Sequence, residues 1–297
     1  MTLGGRRFTA RMALGGLLVV AIGPGVLAGQ TKSESPVELV RRTVENEIKA
    51  NDDSVKTEFR DHKETGRGWQ TRMVIETEQG SAGMLVAIDG KPLSPQQRRA
   101  EIARLDRLAS DPQELKKKQK AEKEDSERTL RMVKAFPDAF LYEHADEGGN
   151  PGRERVKLNF RPNPNYDPPS HLEQVLTGMQ GYVVIDSTKY RIAEINGTLA
   201  KDVGFGWGIL GHLDKGGHFL VTQAEIVPGD WEVTRLDLDF KGKVLIFKSI
   251  SIKSNEVLSD FRPAPANLTF AQAVELLKKE LAGIAVKSND GDGSSER

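Results

Sequence analysis

His212 and His218 flank the run Asp214-Lys215-Gly216-Gly217. Two imidazoles and a carboxylate brought together across a hairpin are the parts of a metal site or a general-base site. The chain has five histidines, His62, His144, His171, His212 and His218, and none stands in an HExxH or HxH pattern. Ordinary turn and strand positions therefore account for the pair. There is no cysteine, which removes thiolate ligands, thiol nucleophiles and disulfides together. Gly204-Phe205-Gly206-Trp207-Gly208, continuing to Gly211, contains the G-x-G spacing of phosphate-cradling loops. Such a loop must lead from a strand into a helix, whereas both flanks here read as strands and no Gly-Lys-Ser/Thr follows. Glycines in that setting mark curvature or the close approach of another backbone. No GxSxG elbow occurs, and no spacing pairs two carboxylates. The sequence thus offers no catalytic residue, no metal site and no cofactor.

Apolar surface is more abundant than chemistry. Tyr182, Phe205, Trp207, Phe219, Trp231 and Phe247 cluster in one third of the chain and are the candidate ligand-lining residues. The elements that must position them read as an antiparallel meander from Gly181 to Lys253. Gly181 to Asp186 is a β-branched run stopped by a turn at Asp186-Ser187-Thr188-Lys189. Tyr190 to Leu199 follows, and its alternation slips between Ile192 and Ile195, which predicts a bulge. His218 to Val227 leads to a turn at Pro228-Gly229-Asp230, then Trp231 to Phe240. Leu236, Leu238 and Phe240 share one face of that strand, and Arg235, Asp237 and Asp239 the other. Lys241-Gly242 is the expected next turn, and Lys243 to Lys253 the last strand, with Val244, Ile246, Ile250 and Ile252 on one face. One-sided strands need an apolar cover.

Helix caps punctuate the remainder. Capping-box patterns begin at Ser35, Ser94, Asp111, Ser170 and Thr269. Val37, Val40, Val44 and Ile48 form a stripe on the first helix, and Phe270, Ala273, Val274, Leu277 and Leu281 on the last. Strands are expected at Val55 to Lys63, Trp69 to Glu78 and Ser81 to Asp89, and a hairpin at Phe140 to Phe160 around Gly148-Gly149-Asn150-Pro151-Gly152. Residues 94–134 form a charged helical insertion, read as a solvated helix over the sheet because no heptad is sustained.

The 297 residues are 37% hydrophobic and 29% charged, which suits one domain. Residues 1–28 read as a cleavable secretory signal: Arg6, Arg7 and Arg11, then an apolar stretch from Met12, then Val26-Leu27-Ala28. Removing it leaves 40 basic against 43 acidic residues, so no charge bias favours nucleic acid. Export without disulfides fits a periplasmic or secreted bacterial protein that does not span the membrane. Residues 29–287 are the expected single domain and residues 288–297 a disordered tail.

Gly181-Tyr182-Val183-Val184-Ile185-Asp186 followed by Tyr190-Arg191-Ile192-Ala193-Glu194-Ile195, with the signal and the first amphipathic helix, resembles the LolA/LolB-like (RseB-like) half-barrel superfamily. Gly204-Phe205-Gly206-Trp207-Gly208-Ile209-Leu210 is similar to a family of uncharacterised exported proteins of acidobacteria. The resemblance implies an α+β fold, a strongly curved antiparallel β-sheet with helices covering the concave face, and carries over no functional residue. The leading expectation is a non-enzymatic binder of a lipid, lipoprotein or other apolar ligand. An envelope protein-interaction or stress-sensing module, and a hydrolase using His212 or His218, are the alternatives.

Overall fold

A computed structural model describes residues 34–65, 68–145, 154–205, 211–244 and 248–291. The signal segment, the Gly148–Gly152 turn, Trp207 with the rest of Gly206 to Leu210, Ile246, Phe247 and the final six residues lie outside them. The described residues form an α+β fold of thirteen strands in one antiparallel sheet and five α-helices.

Local signals set most boundaries. Helix α1 (Pro36–Asp53) opens on a complete capping box, with Ser35 and Glu38 satisfying each other's backbone amides. Ser94 and Gln97 do the same for α2 (Pro95–Ser110), and Asp111 caps α3 (Pro112–Ala139) by accepting from Gln113 N and Glu114 N. Ser170 caps the short α4 (His171–Gln174), which runs into a 3₁₀ turn (Val175–Gly178). Thr269 and Gln272 bond reciprocally ahead of α5 (Phe270–Gly291), whose backbone stays helical past the expected end at Lys287.

The sheet runs β4 (Lys91–Pro92), β3 (Gly80–Ile88), β2 (Gly68–Thr77), β1 (Thr57–Thr65), β13 (Lys248–Pro263), β12 (Asp230–Val244), β11 (His218–Val227), β8 (Arg191–Leu199), β7 (Met179–Asp186), β6 (Arg155–Pro162), β5 (Phe140–His144), and does not close. β10 (Gly211–Leu213) pairs with β12 and with β9 (Val203–Phe205). The expected slip in β8 is real: Val184 pairs with Glu194 and Ile185 with Ile192, so Ala193 is the extra residue.

Lys241-Gly242 is not a turn. β12 continues through it, pairing Lys241 with Ser251 and Gly242 with Ile250. Glycine is required there because β10 lies against it: a Cβ would sit 2.2 Å from His212 O.

Two apolar clusters cover the sheet. The larger joins Val40 and Val44 of α1, Phe136 of α3 and Leu176 to strand residues including Val183, Ile185 and Phe240. The smaller packs Phe270, Val274, Leu277 and Leu281 of α5, with Leu105 of α2, on Met73, Ile75, Ala82 and Met84. Following the register from Phe240 and Ile252 through Leu258↔Asp61 and Asp61↔Arg72 puts Met73 and Ile75 on the opposite face of the sheet. Helices were expected over one face; α5 packs against the other.

The charged part of α3 lies beside the β2–β3 turn. Gln119 Nε2 donates to Gln79 O at 2.9 Å, and Glu122 accepts from Ser81 N at 3.4 Å. Its neighbours pair along the helix, Lys120 with Glu124 and Lys123 with Glu127, as a solvated helix would. No helix among the described residues is long and apolar enough to cross a membrane.

Candidate functional site

Alternation gives β8, β11, β12 and β13 a shared apolar face, and the register aligns it across these strands. Ile195 of β8 pairs with Val221 of β11, two residues from Phe219; Phe219 pairs with Leu238 of β12, and Phe240 pairs with Ile252 of β13. The covering helices do not fill the space above these residues. Val44 of α1, Met132, Val133 and Phe136 of α3, Leu172 of α4, and Val175 and Leu176 enclose a cavity of about 340 Å³ against this floor. Met179, Ile192 and Leu213 complete a lining with no polar side chain. Ile252 is 46% exposed although it lines the cavity, so apolar surface reaches solvent there.

The roof is held by aromatic packing. Phe136 meets Phe140 and Phe160 edge-on, at 5.0 and 5.4 Å between centroids, and Tyr142 Oη donates to Phe136 O at 2.6 Å. Burial pushes the Tyr142 phenol well above its ordinary value, so it stays a neutral donor. An apolar hollow offers water no hydrogen-bond partner, and so favours an apolar guest.

A second cleft, about 350 Å³, shares Val133 with the cavity but has a different chemistry. It opens where the sheet parts. The β12–β13 ladder ends at Arg235↔Val257; beyond it residues 230–233 pair only with β11, and Leu258 to Pro263 only with β1. α1 contributes Glu47, β2 contributes Glu76, β8 contributes Arg191, and β12 contributes Asp230, Trp231 and Glu232. Glu47 and Arg191 form a buried pair at 3.0 Å, and Glu47 Oε1 also accepts from Ile192 N at 2.7 Å. Glu76 Oε2 accepts from Thr57 N and Thr57 Oγ1. Burial, then the like charges of Glu76 and Asp230, push the Glu232 carboxyl up to about 7. Trp231 is only 7% exposed, and its Nε1 and Asp230 Oδ2 are buried with no hydrogen-bond partner among the described residues.

The residues singled out from sequence fall in different places. Phe219 lines the apolar cavity. Phe205 packs at the edge of the same cluster, its ring 6.2 Å from His171. Tyr182 lies on the other face from Val183: its hydroxyl donates to Glu194 at 2.6 Å and Lys157 covers its ring. Trp231 belongs to the polar cleft, while Trp207 and Phe247 lie outside the described residues. His212 and His218 are not brought together. They pair with Lys243 and Asp239 of β12, four residues apart along that strand, or about 13 Å. His212 Nε2 instead meets Asp214 at 3.0 Å. Among the described residues no group of three histidine, aspartate or glutamate side chains is placed to hold a metal ion.

The alternation at Leu236, Leu238 and Phe240 pointed to the cavity floor. Nothing local pointed to Met132 and Val133 as roof, or to the cleft, whose members come from six separate elements. No protein-family model, curated protein or solved structure matches the chain.

Proposed function

We propose that this protein is a non-enzymatic binder of an apolar or acyl-chain ligand, held between the sheet and the helices α1, α3 and α4. The carrying observation is the cavity lined only by apolar side chains, at about 340 Å³. That size lies in the range of small-ligand sites, about 300–1,000 Å³. The sheet is read as a strongly curved half-barrel whose concave side is this floor. An exported, periplasmic setting, with a lipid or the acyl part of a lipoprotein as cargo, is consistent with that reading. Each buried methylene contributes roughly 0.8 kcal/mol, so ten of them outweigh the ordering cost of one chain.

Titration of the delipidated protein with a dansyl-labelled fatty acid tests it. Saturable one-to-one binding is expected, and Leu238→Trp, which fills the cavity from its floor, should abolish it without lowering the melting temperature. Absence of saturable binding, with no lipid extractable from the purified protein, refutes the proposal.

A further inference from the structure

The described residues between Asp239 and Lys253 carry four lysines, Lys241, Lys243, Lys248 and Lys253, against one acid, Asp239. The whole chain has as many acidic as basic residues, so its overall balance hides this local excess. The acids nearby are already engaged. Glu64 pairs with Lys253 at 3.1 Å, Asp214 meets His212 at 3.0 Å, and Asp202 accepts from Lys215 N at 2.7 Å. Asp239 stands directly across from Lys253. Lys241, Lys243 and Lys248 are exposed and make no ion pair among the described residues.

Register puts these cations at a rim. Gly211 pairs with both Phe205 and Val244, and Val244 with Lys248, so the ends of β9, β10, β12 and β13 finish level. Three spacings of about 4.8 Å make the rim roughly 14 Å wide. Lys243 and Lys248 lie within one residue of it; Lys241 is three residues back, about 10 Å, a distance its long stem shortens. The inner side of the same hairpin is apolar. Ile250 packs half-buried against the larger cluster, and Ile252 lines the cavity while 46% exposed. Free cations and an opening of the cavity therefore share one hairpin.

Charge alone would fit any polyanion. The apolar opening beside it narrows the partner to a surface with anions outside and hydrocarbon beneath. We propose that the rim end of the β12–β13 hairpin docks on a bilayer containing anionic lipid, with Lys241, Lys243 and Lys248 on the head groups and the Ile252 opening turned toward the acyl layer. The inference rests on the cavity reading for what is exchanged, and adds the surface it is exchanged with. A tail that passes from the bilayer straight to an apolar wall never exposes its full length to water.

Co-sedimentation with vesicles in 0.1 M salt tests the docking, using the protein without residues 1–28 so that the signal segment adds no binding of its own. Phosphatidylcholine vesicles with about 30% phosphatidylglycerol should bind at least tenfold more tightly than phosphatidylcholine alone, and 0.5 M salt should remove the difference. Lys241→Gln, Lys243→Gln and Lys248→Gln together should weaken binding to the anionic vesicles about hundredfold, at about fivefold per lysine, with the melting temperature and the binding of dansyl fatty acid unchanged. The chain has no cysteine, so Ser249→Cys at the rim and Glu124→Cys on α3 each carry a single environment-sensitive fluorophore. On anionic vesicles the rim label should shift to the blue and be quenched by nitroxide-bearing lipid, and the α3 label should do neither. Undiminished binding by the triple variant, equal binding to both kinds of vesicle, or a rim label that no lipid quenches overturns the docking surface. Capture of inorganic polyphosphate without vesicle binding assigns the lysines to a soluble polyanion and overturns it as well. The dansyl titration without vesicles decides the cavity separately: docking that persists when it fails keeps the surface and removes the cargo.

Discussion

Glu232→Gln should stabilise the protein at pH 8 and have only a small part of that effect at pH 5. The Glu232 carboxyl is raised from its ordinary 4.5 to about 7, by burial first and then by Glu76 and Asp230. The folded state therefore binds a proton more tightly than the unfolded chain between those two values. Unfolding releases that proton, so stability from this group falls as pH rises from about 4.5 and levels off above 7. The full rise corresponds to about 3 kcal/mol. Solvent reaches part of this carboxyl, and screening reduces the expected effect to about 1–2 kcal/mol. Glutamine keeps the shape and never ionises, so it removes the penalty only where the wild type would carry charge. Urea unfolding of both proteins at pH 5 and pH 8 isolates the site, because the other titrating groups cancel in the difference. With a slope of about 3 kcal/mol/M, the variant's midpoint should lie roughly 0.3–0.7 M higher at pH 8 and within about 0.2 M of wild type at pH 5. A difference independent of pH, or a wild type more stable than the variant at pH 8, would refute the electrostatic account of the cleft.

Arg191→Ala leaves Glu47 buried and unpaired, and should cost about 3–5 kcal/mol in urea unfolding; replacing both partners with apolar residues of similar size should recover most of it. Leu277→Ala, at a fully buried position of α5, should cost about 2–5 kcal/mol, read as a lowered urea midpoint. Gly181→Ala puts a Cβ 2.0 Å from Asn196 O in the neighbouring strand, and should lower the melting temperature by several degrees; an unchanged melting curve would contradict the β7–β8 spacing. Lys123→Ala, by contrast, removes an exposed pair at 3.9 Å and should shift stability by less than about 0.5 kcal/mol.

The sequence by itself determined the local units. Ser35 with Glu38, Ser94 with Gln97 and Thr269 with Gln272 announce three helix starts, because a cap needs only residues within one turn. The slip between Ile192 and Ile195 announced the Ala193 bulge, because period-two alternation is a local property of a strand. Leu236, Leu238 and Phe240 announced an apolar face for the same reason. Tertiary structure decided what those units meet. Glu64 and Lys253 lie far apart in the chain, yet their ion pair at 3.1 Å spans β1 and β13, the join that makes the N-terminal hairpins and the meander one sheet. Gly242 reads as a turn until β10 is seen pressed against it. Apolar periodicity identified α5 as amphipathic, but amphipathicity does not say which face of a sheet a helix will cover. Phe219 and Leu277 are both apolar, and only the assembled fold leaves a hollow over one and closes fully around the other. The charged cleft was the least legible of all. Its carboxylates come from α1, β2 and β12, and their energies depend on mutual distance and burial, which no stretch of sequence contains.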